Sequence, residues 1–506
     1  MAYVRTVRTA SGATAVQIVY SSRRGSRDIE HIGSAHEDAE LAVLKTAAAA
    51  RLAGGQGELD LGVERAVGTA QRPLRIAASR MGHLWDALCR AYDALGFDRA
   101  AAGDEVFRAL VLARIVEPTS KQDSLRVLEE IGVPAPSYST LNRRLPGYAT
   151  QVWRSGLTAA CAEHAKLGPA SLVLYDVTTL HFEIDAGDGF REPGYSKERR
   201  IDPQILVGLL VDAGGFPLAV QAFEGNKAET ATMVPVLQTF MTRHQIRDVV
   251  VVADAGMFSA GNVEAIEKAK LSFVLGARIA EVPYVVKEWL RANPGQQMPD
   301  GLVLTQPWPA SAVDRERGRR DRTIYYQYRA DRARRTLRGI DEQVRKAEAA
   351  VAGKTEVKRN RFVKLTGATK TVNRDLQTKA RALAGIKGYD TNVPGATAEF
   401  AIEAYHQLWH VEKSFRMSKH DLAARPIYHH KRESIEAHLS VVLAALAITH
   451  HVQARTGWSI KRFVRTARRY RTVHIRAGSQ LLTAEDPLPD DLHTALAEIH
   501  RPESTH

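Results

Sequence analysis

The chain has 506 residues, 44% of them hydrophobic, and its 70 Lys plus Arg outweigh 57 Asp plus Glu for a formal net charge of +13. That composition suits several buried cores and excludes a disordered chain, while two cysteines, Cys89 and Cys161, exclude a disulfide scaffold and a cysteine-based zinc site. The apolar runs are too short or too interrupted for a membrane span, and the N-terminus lacks the apolar stretch of a signal peptide, so the expectation is a protein of a reducing cytoplasm with no membrane partner.

Residues 1–60 read as a small strand-rich unit followed by an Ala-rich helix that ends at GGQG, residues 54–57. Residues 75–165 are helical in pattern, with a break at Pro118. Within them PSYSTLNRRLPGYATQVW offers serines to cap a short helix carrying Asn142, Arg143 and Arg144, a basic tip suited equally to DNA contact and to packing.

From residue 170 the pattern changes. SLVLYDV is an apolar β-rich run, QILVGLLVDAGGFPLAVQAFEG reads as two strands joined at Gly214-Gly215, ETATMVPVLQTFMTRHQI has helical spacing, and RDVVVVADAG is a buried strand. A further helix and the strand LSFVLGARI complete residues 170–280. The order strand, strand, strand, helix, strand, helix, strand predicts a mixed α/β layer. Residues 281–396 form a basic insertion containing a strand, TIYYQYR, and a helix, TLRGIDEQVRKAEAAV; residues 397–455 complete the core, and 456–506 form a basic tail.

The positive charge is concentrated in two places. Residues 311–382 hold 21 Lys plus Arg, Arg319 and Arg320 among them, against nine Asp plus Glu; residues 461–476, including Arg468 and Arg469, add seven cations with no acid. Such clusters suit a polyanion such as DNA, because each phosphate neutralised releases a counterion. A solvated charged face is the plainer alternative for either segment alone.

Two acids follow apolar runs: Asp176 after LVLY and Asp254 after VVVVA, each expected at the carboxyl end of a strand. Carboxylates held close repel one another, and a hard divalent cation such as magnesium removes that repulsion. In EAYHQLWHVEKSFRMSK, residues 403–419, Tyr405, Glu412 and Lys419 recur at intervals of seven, which places them on one face of a continuous helix with Arg416 one turn beyond Glu412. Glu412 then supplies a third carboxylate. Singly, each acid reads equally well as a helix cap or a surface residue; their combination with the sheet pattern and the basic tracts favours phosphodiester chemistry. Asn226 and Glu229 in EGNKAET fit a turn and a helix start, with a role supporting the site or at a flipped base as the alternative, and the pairs His429-His430 and His450-His451 point about 100° apart on a helix, which does not suit a shared metal. The apolar stretch ESIEAHLSVVLAALAITHHV is broken by Glu433, Glu436 and His438 and reads as a core helix.

With YDVTTLHFE, FEGNKAET, VVADAGMFSAGNVEAI and YHQLWHVEKSFRMSKHDL, the chain resembles a DDE transposase of bacterial insertion sequences over roughly residues 170–450. It resembles the branch whose last acid lies in a Tyr-x2-Arg-x3-Glu-x6-Lys signature. The resemblance implies an α/β, RNase H-like catalytic core as in retroviral integrases, interrupted by a largely β-structured insertion that helps hold a DNA end. It also implies metal-binding acids at Asp176, Asp254 and Glu412, magnesium or manganese as cofactor, and Tyr405 and Lys419 near DNA. Leu408 stands where the signature has arginine, and Arg416 is the cation placed to take over its contact. Expected partners are double-stranded DNA, both the terminal inverted repeats and the target, and a second copy of the chain on paired ends; the expected location is the bacterial cytoplasm, at the nucleoid when DNA is bound. Two other readings stay open: a catalytically silent DNA-binding regulator derived from a transposase, and a metal-dependent nuclease that never joins strands.

Overall fold

The computed structural model describes residues 2–9, 12–21, 27–53, 73–168, 170–194, 201–246, 249–257, 260–316, 318–354, 360–366, 369–425, 427, 429–477 and 480–502. The glycines of GGQG lie outside them. The chain divides into two compact units, residues 1–76 with 475–482, and residues 77–474 with 483–506.

In the first unit the strands Ala2–Arg8, Thr14–Ser21 and Arg27–Ala35 pair antiparallel, and the helix Asp38–Ala53 covers the sheet. Alternating Val16 and Ile18 point to one face and are fully buried with Ala48 of that helix.

The second unit is built on an eight-stranded sheet. Strands β1 (Leu172–His181), β2 (Gln204–Asp212) and β3 (Pro217–Glu224) form an antiparallel meander. On its other side β1 is joined in parallel by β4 (Val250–Ala253), and β4 in turn by β5 (Ser272–Ala277). The spatial order β3-β2-β1-β4-β5 is the RNase H-like arrangement, a mixed α/β core. All four residues of β4 are buried, the continuous apolar run required of a strand with parallel neighbours and covered faces.

Strands β6 (Val303–Trp308), β7 (Arg322–Tyr328) and β8 (Ile386–Thr391) extend this sheet beyond β5. Residues 281–396 are therefore partly an extension of the core sheet. The buried Asp390 of β8 accepts from Arg322 of β7 at 3.0 Å, fixing that edge. The rest of the segment is more helical than β-structured. Its largest element is the 22-residue helix Ala330–Val351, packed with the hairpin Val363–Thr366/Thr369–Val372 around Ile340, Val344, Ala347 and Phe362.

A helical layer precedes the sheet. Its helix α1 (Glu105–Val116) is capped by Asp104, which accepts from Val106 N–H at 2.9 Å and Phe107 N–H at 3.0 Å. After Pro118 come α2 (Asp123–Ile131) and α3 (Tyr138–Arg144). Between this layer and the sheet runs α9 (Arg432–Thr456), preceded in the chain by α4 (Met233–His244), α5 (Ala260–Lys268), α6 (Tyr284–Ala292), α7 (Ala398–His406) and α8 (Leu408–Arg416). Helix α9 is long and apolar enough to cross a membrane, yet 89% of its most apolar window is buried inside the protein. The basic segment after it is folded too: α10 (Ile460–Ala467) buries Phe463, Val464 and Ala467 in the main core and leaves Lys461, Arg462 and Arg465 outside.

Candidate active site

Parallel pairing of β1 with β4 ends at Tyr175 opposite Ala253. The next residues on the two strands are Asp176 and Asp254, so the two acids leave neighbouring backbones about 4.8 Å apart. The sequence places both at strand ends, but β1 continues five residues past Asp176 because β2 pairs with it as far as His181 opposite Gln204. What ends at Asp176 is the parallel partner. Asp176 is half-buried and Asp254 exposed at the opening this creates.

Successive side chains of β1 alternate faces. Tyr175, fully buried, points toward α4, where its hydroxyl donates to Thr232 Oγ1 at 3.0 Å. Asp176 and Thr178 therefore project from the opposite face, which α8 covers. There Lys419 Nζ donates to Thr178 Oγ1, setting an ammonium one step along the strand from Asp176.

The stretch 403–419 is not one helix. Helix α7 ends at His406, Gln407 intervenes, α8 runs Leu408–Arg416, and a π turn holds Met417–Asp421. The break lets Tyr405 turn inward, 5% exposed, while Glu412 and Arg416 stay exposed on α8 and Lys419 is half-buried. Leu408, where the signature has arginine, is buried in the core. Helix α8 is pinned by Ser414, whose hydroxyl donates to the Gly215 carbonyl at 2.7 Å and is 3.0 Å from His450 Nε2. With its one proton committed, the hydroxyl accepts from His450, a neutral imidazole held down to about 4 by burial.

The Tyr405 hydroxyl donates to Asp254 Oδ1. Its ring meets Tyr389 edge-on at 5.2 Å, and space for it exists because residue 276 is glycine: a Cβ there would stand 2.9 Å from the Tyr405 hydroxyl. Burial raises the Tyr405 pKa, as does the bond to Asp254, which keeps this hydroxyl a donor. The loop after Asp254 is gripped by Arg278, which donates to the carbonyls of Ala255 at 2.9 Å and Gly256 at 3.0 Å.

Two further residues join the site, Lys387, which no motif marks, and Glu229 of FEGNKAET. Lys387 on β8 holds its ammonium 4.1 Å from the Tyr405 ring centroid; burial pulls its pKa down, while Asp254 and Glu412 push it up, so it stands in the field of both acids. Glu229 Oε2 lies 3.8 Å from where a Cβ on Gly256 would be, beside the Asp254 loop. The glycines flanking Lys387, Gly385 and Gly388, were its one local clue.

Among the described residues, no three Asp, Glu, His or Cys side chains gather closely enough to hold one metal ion together. The donor set nonetheless suits a hard divalent cation: two carboxylates at adjacent register, with Glu412 on the helix that covers their face. Magnesium commonly takes only one or two protein carboxylates and fills its shell with water and phosphate oxygens.

The remaining basic candidates lie on other elements. Arg143 is exposed at the end of α3, and Arg144 pairs with Asp104 at 3.3 Å. Arg319 pairs with Asp314 at 3.2 Å and Glu264 at 3.7 Å, and Arg320 donates to the Lys270 carbonyl at 3.2 Å, so both fasten the β6–β7 connection to α5 and its C-terminal end. Arg468 pairs with Glu117 at 3.5 Å, whereas Arg469 is exposed.

Residues 167–448 match the family described as Transposase DDE domain. Among solved structures, the chain is similar to the piggyBac transposase in a cryo-electron microscopy structure of its synaptic complex with hairpin DNA, with 11% identity and a TM-score of 0.38, covering 83% of this chain and 74% of that one. No curated protein sequence matches.

Proposed function

The chain belongs to the transposase DDE-domain family, and from that premise we propose that it binds the terminal inverted repeats of its element, cleaves the DNA ends by metal-dependent phosphodiester hydrolysis and joins them to target DNA. The observation that carries this reading is the register of Asp176 and Asp254 on parallel neighbours, with Tyr405 fixing one oxygen of Asp254.

Asp176, Asp254 and Glu412 are the residues that would hold magnesium, or manganese in its place. Such ions, when bound, acidify the attacking water or 3′-hydroxyl and stabilise the leaving oxygen of an in-line displacement. Tyr405 donates to Asp254 Oδ1 and so orients this carboxylate. Lys419, held on Thr178 beside Asp176, and Arg416, exposed one turn beyond Glu412, are placed to neutralise phosphate. Arg143 and Arg469 are exposed cations available to the DNA backbone outside the site. Acting on two ends together calls for two copies of the chain.

The reading is tested with a pre-cut end: purified protein, magnesium and a labelled duplex ending at the repeat. Joining of its 3′ end to a second DNA supports a transposase, and cutting without joining would support a nuclease instead. Retention of cleavage by Asp254→Asn would remove Asp254 from the metal site.

A further inference from the structure

Helix α1 is apolar along nearly its whole buried face, yet Arg114 sits in it at 7% exposure. Its Nη1 donates to the carbonyls of Leu422 at 3.3 Å and Ala423 at 3.1 Å, and its Nε has no hydrogen-bond partner. Among the described residues no carboxylate forms an ion pair with it. Neutral carbonyls compensate a buried guanidinium poorly, and an unpaired buried charge of this kind costs several kcal/mol.

Arg114 lines a cavity of about 590 Å³ with Ser120, Lys121, Tyr138, His429 and His438. Lys121 Nζ is 5.9 Å from the Tyr138 ring centroid. The acid among the lining residues, Asp123, is already engaged: Arg126 donates to both its oxygens at 2.8 and 2.9 Å, and Thr119 donates at 2.6 Å. His438 Nε2 faces the Ala424 carbonyl at 3.2 Å and so must donate to it. The cavity thus presents two fixed cations and neutral imidazoles, with its carboxylate neutralised.

We propose that this cavity binds a phosphate group, gripped by the Arg114 guanidinium and the Lys121 ammonium. Two sources share that chemistry, a free inorganic anion and a phosphate of the DNA backbone. The carbonyls that Arg114 holds directly follow the π turn that carries Lys419, so an occupied cavity would brace the segment leading from the proposed active site. Only the DNA arm of the test rests on the proposed function; the anion arm does not.

The full chain is titrated with inorganic phosphate against sodium chloride at equal ionic strength, reading the unfolding midpoint. A saturable rise beyond chloride is expected for the wild type, with apparent affinity weakened about tenfold in Lys121→Ala, the loss of one charge-assisted hydrogen bond. Arg114→Met should lose the response; because that buried variant could fail to fold, the half-buried Lys121 position keeps the test decisive. If DNA supplies the phosphate, saturating phosphate weakens duplex binding by the wild type more than by Lys121→Ala, and the salt slope of the variant falls by about one. If the ligand is a free anion, duplex affinity follows ionic strength alone. A wild type with no saturable response, or a Lys121→Ala response equal to it, would overturn the phosphate site.

Discussion

The Tyr405 hydroxyl, at the C-terminal end of α7, donates to Oδ1 of Asp254, which lies 151 positions earlier at the end of β4. The bond fixes the carboxylate before any cation arrives. Tyr405→Phe should slow DNA cleavage by about ten- to a hundredfold through misplacement of Asp254. Duplex affinity should stay within about twofold and stability should fall by about 1 kcal/mol. Parallel single-turnover and binding measurements check this, and unchanged cleavage would deny Tyr405 the positioning role.

Lys387 stands in the field of Asp254 and Glu412, both of which push its pKa up. A cation there opposes the entry of a divalent ion. In Lys387→Met, the manganese concentration that half-saturates the rise in unfolding midpoint should drop at least about threefold. An unchanged or higher concentration would place Lys387 outside the carboxylates' field.

Three histidines, His438 buried and His429 and His450 half-buried, make stability depend on pH. His429 and His450 are held down to about 4, mainly by burial, and His438 lies well below its usual value for the same reason. The unfolded chain takes up these protons below about 6.5 while the folded chain refuses them, so stability is lost as pH falls from about 6.5 toward 4, by up to about 3 kcal/mol per histidine. Asp390 works the other way: burial raises it to about 6, so it favours the fold at low pH and loses that contribution as pH rises from about 4 to 6. Three outweigh one. Calorimetry should show the midpoint rising from pH 4.5 to 6.5, with a shallower slope in His450→Gln, and a flat or falling midpoint would contradict it.

Gly225 follows β3 where chain segments cross. A Cβ there would lie 1.9 Å from the Gln204 carbonyl oxygen and 2.3 Å from that of Glu192, both backbone atoms that cannot step aside. Gly225→Ala should cost at least about 2 kcal/mol in denaturant unfolding. Gly261→Ala, in α5 with nothing within 4 Å, should be neutral or gain up to about 1 kcal/mol.

The apolar runs before Asp176 and Asp254 revealed their strands because burial on both faces leaves a continuous apolar pattern, LVLY and VVVVA. The end of β1 was less visible: the adjacent Thr178 and Thr179 break the polar–apolar alternation of VTTLH, and only its pairing with β2 makes it strand. The attachment of β6, β7 and β8 to the core sheet depends on contacts more than 100 positions apart, such as Leu275 opposite Asp390, which no local period records. The inward turn of Tyr405 was hidden for a related reason, since the heptad spacing of Tyr405, Glu412 and Lys419 holds only in a continuous helix and Gln407 interrupts it. Charge counts located the basic tracts but could not distinguish Arg319 and Arg320, tied to the edge of the core, from exposed Arg469. Lys387 carried no chemical signature, because a single lysine between glycines acquires its meaning only when β8 sets it against Tyr405.

The most direct measurement is incubation of the purified protein with magnesium and a labelled duplex carrying the ends of its element, wild type beside Glu412→Gln. Magnesium-dependent nicking at the ends followed by strand joining, both absent in Glu412→Gln, is the expected result. Equal activity in Glu412→Gln, or duplex binding with no nicking by the wild type, would contradict a catalytic centre built on Asp176, Asp254 and Glu412.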